Sequence, residues 1–214
     1  MRRLSTTSFA LLGLLSFRDW TASELTKQME RSLNFVWPRA VSGIYVEPAS
    51  LRDHGLVDAT EVPESRRVRA RYSITAAGRR ALLAWIRQPS AASTFESESA
   101  LKLIFVDVAT KDDALRIIDE ISDDARQRND QLLEIFADYA EGRGAFPDRA
   151  HVVGLASRLY HEHYAAMASW AEWARAEVEG WPSTDRSASA HGRSIVQSSR
   201  RRFGSRSRHF GKPS

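Results

Sequence analysis

The 214-residue sequence has no cysteine, which excludes disulfides, thiolate catalysis and any cysteine-ligated zinc or iron–sulfur site. It also has no glycine-rich phosphate loop, no GxSxG and no HExxH motif. No apolar stretch approaches the roughly 20 residues that a membrane-spanning helix needs. We therefore expect neither an enzyme nor a membrane protein, and the missing cysteines fit a reducing compartment such as the cytoplasm.

Histidine and acidic residues are present, but their spacing does not indicate a metal or catalytic site. His161 and His163 are two residues apart, so on a helix they point in different directions and do not form a metal-binding pair. For His163, which falls on an apolar helical stripe, an interface role is the simpler interpretation. We predict no metal and no cofactor. A Ser-His-Asp site assembled by folding is left open, although nothing points to one.

Charge is distributed unevenly along the chain. Residues 1–90 hold 14 Lys/Arg against 8 Asp/Glu, residues 91–182 hold 9 against 18, and residues 183–214 hold 8 against 1. This pattern of a basic front, an acidic middle and a basic tail indicates three segments with different surroundings. The front segment is the folded part best suited to meet a polyanion.

Three helices are predicted at the start of the chain. The apolar run from Phe9 to Leu15 could be mistaken for a signal peptide, but no cleavage site follows and helical patterning continues, which favours a core helix. Thr21 with Glu24 three residues later forms a capping box that starts a second helix over about 21–31. A third helix is predicted over 39–54, where Gly55 stops it.

A β-hairpin and a fourth helix are predicted next. Residues 56–62 and 68–75 have the composition of two strands, joined by the polar turn "PESRR". Thr75 then caps a helix over 76–86, and residues 87–94 have the composition of a linker.

The order helix, helix, helix, hairpin, helix is typical of a winged helix-turn-helix. In such a unit the third helix enters the DNA major groove, and the hairpin turn reaches sideways to the backbone or minor groove. Arginines at the turn and on the second strand would supply affinity by displacing counterions from phosphates. These arginines are Arg66, Arg67, Arg69 and Arg71. The alternative interpretation is a solvated strand face.

Three segments resemble the PadR family of transcriptional regulators: "LLGLLSF", "SGIYVEPASLRDHGLV" and "RRVRARYSITAAGRRALLAWI". Tyr45, Leu51 and the sequence from Gly55 to Val57 match the family pattern. Val46 stands where most members have proline. The proline of this chain, Pro48, comes two residues later, as in a branch of the family that carries "YxEP" and a virulence-activator-type helical C-terminal domain. The resemblance covers about residues 4–180.

Pro48 leaves two interpretations of the third helix, predicted as the recognition helix over 41–54. Either the helix bends at Pro48, or its regular part begins there, with Glu47 and Pro48 in its first turn. In both cases the polar positions predicted to face DNA are Arg39, Ser42, Tyr45, Ser50 and Arg52. The alternatives are that Tyr45 is a core aromatic with its hydroxyl at the rim, and that the arginines lie on a solvated helix face.

The back half is predicted to be helical. Propensity alone would accept a strand over 100–109, but the resemblance favours a helix. Residues 112–140 and 149–179 carry apolar residues at steps of three, four or seven, which predicts an antiparallel pair of long helices. The predicted seams comprise Ala114, Ile118, Ile121, Ala125, Leu132, Ile135 and Tyr139 in the first helix, and Val152, Ala156, Leu159, His163, Met167, Trp170 and Ala174 in the second.

The whole chain is thus predicted to be mainly α, with a winged-helix DNA-binding domain over 1–90, a helical dimerisation domain over 95–181 and a disordered basic tail over 182–214. The tail could attract DNA or serve only for solubility. Aromatic residues of the helical domain could line an effector pocket or form ordinary interface core: Phe105, Phe136, Tyr139, Tyr160, Tyr164, Trp170 and Trp173.

These features together predict a homodimeric repressor that binds double-stranded DNA, without a membrane partner. Repression, and release by a small-molecule effector, are what the family resemblance implies. The alternative is a module whose winged helix binds a protein.

Overall fold

The computed structural model describes residues 4–33, 37, 44, 46–64 and 67–204. The chain divides into two compact units, residues 1–93 and 94–214. It is mainly helical with one small antiparallel sheet, which confirms the predicted fold class.

The described residues of the first unit form four α-helices and three strands. In chain order they are α1 (Thr6–Leu15), β1 (Trp20–Thr21), α2 (Ala22–Ser32), α3 (Glu47–Asp53), β2 (Val57–Glu64), β3 (Arg67–Ile74) and α4 (Ala76–Ile86). The sheet has the order β1-β3-β2, and both pairs of strands are antiparallel. Strand β1 has two residues, and it is defined by their pairing with Arg71 and Tyr72 of β3. A strand this short has no alternating pattern that the sequence could reveal.

Helix α1 is a core helix, as predicted. It begins at Ser5, whose hydroxyl accepts a hydrogen bond from the backbone N–H of Ser8. The predicted capping box of Thr21 and Glu24 at the start of α2 is confirmed. The core of this unit comprises Leu11, Leu12, Leu14, Leu15, Trp20, Leu25, Met29, Ile44, Leu51, Leu56 and Val57.

The third helix starts later than the range 39–54 predicts. Ile44 and Val46 lie in turns, and α3 begins at Glu47 with Pro48 in its first turn. A proline there loses no helical hydrogen bond, because the first N–H groups of a helix have no intrahelical acceptor. The later start is therefore the correct alternative. Gly55 ends the helix with φ of +67°, a left-handed conformation that favours glycine.

Helix α4 packs against the backbone that follows α3. Thr75 caps α4 as predicted, and its hydroxyl also donates to the Gly55 carbonyl at 2.9 Å. Gly78 is buried, and a Cβ built on it would lie 2.1 Å from the Leu56 carbonyl oxygen. Only glycine fits at this position without movement of the backbone.

The second unit is helical throughout its described part. It contains α5 (Glu98–Ile104), a 3-10 turn (Val106–Val108), α6 (Lys111–Ala140), a second 3-10 turn (Pro147–Arg149), α7 (Ala150–Glu179), a third 3-10 turn (Arg186–Ala188) and α8 (Ser189–Gly204). The helix predicted over 100–109 is confirmed in type, and α6 and α7 form the predicted hairpin. Within the described residues, no helix combines the length and apolar character needed to cross a membrane.

The seam predicted for α6 is largely correct. The seam predicted for α7 is correct at Ala174, which is buried, and at Met167, which is half-buried against the same core, and it is wrong at most other positions. Helix α6 buries Ala114, Ile118, Ile121, Ala125 and Leu132, as predicted. Helix α7 has two apolar stripes, and three of the five residues on its buried side are serine or alanine. The buried residues of α7 are Ser157, Tyr164, Ala171, Ala174 and Val178, whereas Val152, Leu159 and Trp170 of the predicted seam are exposed.

The α6–α7 hairpin is also held by polar contacts. The Lys111 ammonium donates to the carbonyls of Glu179 and Trp181, at 2.7 and 3.0 Å, and thereby caps the end of α7. The disorder predicted from residue 182 onward differs from the structure, in which α8 occupies residues 189–204. Sequence patterning misses α8 because its apolar residues are too few to form a stripe.

Candidate nucleic-acid interface

Helix α3 has one buried and one outward side. Glu47, Pro48 and Leu51 are buried, whereas Ser50 is half-buried and Arg52 is exposed. The Arg52 guanidinium lies 3.7 Å from the carboxylate of Asp53, a contact between two well-exposed side chains that is too weak to hold the arginine in place. Arg52 is therefore available to a ligand that approaches this side of the helix.

A buried carboxylate fixes the start of α3, and sequence patterning gives no signal for it. The Ser8 hydroxyl donates to Oε2 of Glu47 at 2.7 Å, and both residues are buried. A polar group inside a core is retained only when it is hydrogen-bonded, since its desolvation is costly. This bond links α1 to the first turn of α3 and so sets the position of the outward side.

The wing is the hairpin of β2 and β3, closed at its tip by the residue pair Glu64 and Arg67. Arg69 and Arg71 lie two residues apart and therefore on the same side of β3, opposite Val62 and Thr60 respectively. Arg69, which is nearer the tip, is exposed.

Arg71 has a structural role at the base of the wing. Its guanidinium donates to the Asp19 carbonyl at 3.5 Å and lies 4.0 Å from the carboxylate of Glu24. The hydrogen bond from the backbone N–H of Thr21 is the main reason that the pKa of Glu24 lies below its usual value. The positive charge of Arg71 lowers this pKa further. The carboxylate therefore stays charged and anchors the wing to α2.

Three of the eight predicted contact residues can be placed on the surface of this unit, namely Ser50, Arg52 and Arg69. Arg67 is the first residue of β3, and its side chain is outside the described part. The remaining predicted residues lie outside the described residues: Arg39, Ser42, Tyr45 and Arg66. The structure thus places the outward side of α3 and the arginine-bearing strand in one unit.

The second unit contains a surface cavity of about 590 Å³ between α5 and α6. Its lining includes Phe105, one of the seven aromatic residues predicted to surround an effector or an interface. Both cations in the lining contact carboxylates, Lys102 with Glu98 and Arg116 with Asp113. The other six aromatic residues of that set are not among the residues that line this cavity.

The two histidines predicted not to form a metal pair make separate contacts. His161 Nδ1 lies 2.6 Å from the side-chain oxygen of Asn129, which bridges α7 and α6. His163 packs edge-on against Tyr164 and Phe95. In the part of the chain that the structure describes, no group of His, Asp or Glu could hold a metal ion.

The fold and these surfaces define a winged-helix protein with a helical C-terminal unit. Residues 11–84 match the model of the transcriptional regulator PadR-like family. The negative transcriptional regulator PadR of Bacillus subtilis is 25% identical over 173 residues, which cover 77% of this chain and 92% of the relative.

Solved structures show the same fold. PadR of Bacillus subtilis in complex with operator DNA has a TM-score of 0.66 and 22% identity, and the match covers 81% of this chain and 99% of that one. The virulence activator AphA of Vibrio cholerae has a TM-score of 0.63 and 28% identity, over 81% and 98% of the two chains. A further structure shows the Bacillus subtilis PadR in complex with p-coumaric acid, with a TM-score of 0.63, 21% identity and coverage of 82% and 99%. The first unit is thus similar to the PadR-like family of transcriptional regulators, and the chain shares its fold with solved structures of PadR and AphA.

Proposed function

We propose that this protein is a homodimeric, sequence-specific DNA-binding repressor that works in the cytoplasm and is released from DNA by a small-molecule effector. The observation that carries the proposal is the first unit, in which α3 presents an outward polar side beside a wing that bears exposed arginine. The relative from Bacillus subtilis with this fold has been solved in complex with operator DNA.

The residues proposed to contact DNA divide into two groups. Arg66, Arg67 and Arg69 of the wing would contact phosphates, which gives affinity without sequence preference. The α3 region would supply base and phosphate contacts from Arg39, Ser42, Tyr45, Ser50 and Arg52.

The proposal of a homodimer is supported by apolar surface that the second unit leaves exposed. Leu155 and Leu159 on α7, and Ile104 and Val108 near the end of α5, are each more than 60% exposed. Apolar patches of this kind mark protein interfaces. A second copy is the proposed occupant, because two-fold symmetry would match two half-sites on DNA.

The proposal of an effector is supported by the related PadR that was solved with p-coumaric acid. Phenolic acids are therefore the first compounds to test, by their ability to release the protein from its DNA site.

A gel-shift and footprinting experiment on the DNA upstream of the protein's own gene, at several salt concentrations, tests the proposal. We expect a footprint with two-fold symmetry and an affinity that falls steeply with salt. The combined changes Arg66→Ala and Arg67→Ala should weaken binding to specific and random DNA equally. Arg52→Ala or Tyr45→Phe should weaken binding to the chosen site more than to random DNA.

Absence of binding at low ionic strength would contradict the proposal and would favour the alternative, a winged helix that binds a protein. If all four changes leave binding unaltered, the contact residues are wrongly assigned.

A further inference from the structure

Helix α3, which is proposed to read DNA, is too short to hold its own position. It has seven residues, Glu47–Asp53, and isolated helices shorter than about 12 residues are marginally stable in water. Its N-cap residue, Val46, provides no side-chain hydrogen bond to the first turn. The placement of α3 therefore depends on contacts with other elements of the first unit.

Apolar burial holds α3 in the core without fixing its direction. Pro48 and Leu51 are fully buried, but the hydrophobic effect that favours their burial is non-directional. A hydrogen bond, in contrast, requires a narrow range of distances and angles. The hydrogen bonds at the two ends of α3 are therefore the contacts that set how its outward side is presented.

The C-terminal end of α3 is fixed by the residues that follow it. The Leu56 N–H donates to the Leu51 carbonyl at 3.0 Å, and the Thr75 N–H donates to the Leu56 carbonyl at 3.1 Å. The Thr75 hydroxyl donates to the Gly55 carbonyl at 2.9 Å. These bonds join the end of α3 to the residue that caps α4.

The N-terminal end of α3 is fixed by a side chain of α1. The Ser8 hydroxyl donates to Oε2 of Glu47 at 2.7 Å. The same oxygen accepts from the Ser5 N–H at 3.0 Å and lies 3.0 Å from the Ser5 hydroxyl. A serine hydroxyl has one hydrogen and two lone pairs, so with its hydrogen directed at Glu47 the Ser8 oxygen accepts from Ser5. Ser8 thus uses its full hydrogen-bonding capacity to join the start of α1 to the start of α3.

The Ser8–Glu47 pair lies out of reach of a DNA ligand. Ser8 is 1% exposed and Glu47 is 4% exposed. On the same helix Ser50 is half-buried and Arg52 is exposed. Ser8 and Glu47 can therefore influence DNA binding only through the position that they give to the outward residues of α3.

We propose that Ser8 is a positioning residue for sequence-specific DNA binding, and that it acts through Glu47 on the orientation of α3. Contacts to base edges require hydrogen-bond geometry, so a small shift of α3 weakens them. Contacts of arginines with phosphates carry no sequence information and do not depend on the orientation of α3. This inference rests on the proposed function, since it requires that α3 reads DNA.

The test compares Ser8→Ala with Ser5→Ala. Both changes break the capping box at the start of α1, but only Ser8→Ala removes the donor to Glu47. Fluorescence anisotropy measures the affinity of the full-length protein for the footprinted site and for a random duplex of the same length, at one salt concentration. Urea unfolding identifies conditions in which every variant is folded, and the affinities are compared there.

Ser8→Ala should bind the chosen site about tenfold more weakly, which is the effect of losing one buried hydrogen bond. Its affinity for the random duplex should stay within about twofold of the wild-type value, because the phosphate contacts are retained. Ser5→Ala should lower stability and keep the wild-type ratio of the two affinities. A merely structural role of Ser8 would lower both affinities together and would not separate the two serines.

Glu47→Ala tests the same bond from its other partner, and it keeps the inference testable if Ser8→Ala does not fold. It should also lower the affinity for the chosen site about tenfold more than the affinity for the random duplex. Adding Ser8→Ala to Glu47→Ala should cause no further loss of specific affinity, because the Ser8 hydroxyl then has no acceptor on α3.

Several outcomes would overturn the inference. These are a wild-type ratio of affinities in Ser8→Ala, an equal change of that ratio in Ser5→Ala, and additive losses in the double variant. Failure of both single variants to fold would also overturn it, because the bond would then serve the stability of the unit. A wild-type protein that binds neither duplex defeats the proposed function itself. A wild type that prefers its site, with Ser8→Ala unchanged, defeats only this inference.

Discussion

The two units of this chain treat their apolar residues in opposite ways. The first unit buries seven of its eleven leucines, and Leu11, Leu12, Leu25 and Leu51 are completely inaccessible. The second unit buries one stripe of α7 against α6 and leaves another exposed, including Leu155 at 78%. The first unit therefore packs most of its leucines into its own core, whereas the second leaves exposed an apolar stripe that the proposed dimer would cover.

The strongest prediction concerns the closed packing of the first unit. Gly78→Val should destabilise this unit by about 3 kcal/mol, because the added side chain would overlap the Leu56 carbonyl. Hydrogen exchange of the β3 and α4 amides, together with urea unfolding, measures the loss.

Gly13→Ala is the matched control in the same unit. Within the described residues, no heavy atom beyond the neighbouring backbone of α1 lies within 4 Å of a Cβ built on Gly13, so alanine should stabilise the helix by about 0.5 to 1 kcal/mol. If both variants unfold alike, packing of α4 against Leu56 is not what holds the unit together.

The second prediction concerns the exposed stripe. Leu155→Glu combined with Leu159→Glu should weaken self-association at least about a hundredfold, roughly 2.7 kcal/mol, because two charges would have to be buried at the interface. Analytical ultracentrifugation measures the dissociation constant, and circular dichroism should show an unchanged helix content.

Ala176→Glu adds a charge at an exposed position of α7 outside the stripe, and it should leave self-association nearly unchanged. Equal effects of the two changes, or a wild-type chain that is monomeric, would mean that the exposed stripe is not the dimer surface.

Local signals in the sequence predict much of the fold. Thr21, Thr75 and Gly55 mark element ends by chemistry that depends only on neighbouring residues, and all three positions are confirmed. The apolar periodicity of α6 is equally local and is also confirmed. In both cases the physical cause acts within one helical turn, or along one side of a single helix.

Features that depend on distant residues could not be predicted in the same way. The bond between Ser8 and Glu47 joins residues 39 positions apart. Helix α7 has two apolar stripes, and periodicity cannot tell which one faces α6. Gly78 is a partial exception. A glycine inside a helical pattern indicates close packing at that position, but the sequence does not indicate which residue packs against it.

The third prediction compares two capping boxes, one in each unit. Thr21→Ala should cost about 1 kcal/mol, because it removes the acceptor for the N–H of Glu24 and breaks a contact at a residue that is only 3% exposed. Thr110→Ala removes the same type of cap from α6, but Thr110 is exposed and water can replace the lost bonds. Its cost should be about half as large.

Urea unfolding of the two variants under identical conditions measures the difference. If Thr110→Ala lowers the free energy of unfolding more than Thr21→Ala does, the cost of removing a cap is not set by the burial of the capping residue.

The smallest effect expected is a dependence of stability on pH that the same caps produce. The backbone N–H of Thr21 lowers the pKa of Glu24, and the Thr110 hydroxyl lowers the pKa of Asp113. A carboxyl whose pKa is lower in the folded state contributes stability above its unfolded pKa, roughly 4 for these residue types, and loses that contribution as the pH falls through the folded value. Glu24→Gln should therefore flatten the acid side of the stability profile of the first unit, while the profile above about pH 6 keeps its shape. Carboxyl carbon chemical shifts followed by NMR through acid titration measure both pKa values directly, and an ordinary value for Glu24 would mean that the Thr21 N–H does not hold its carboxylate.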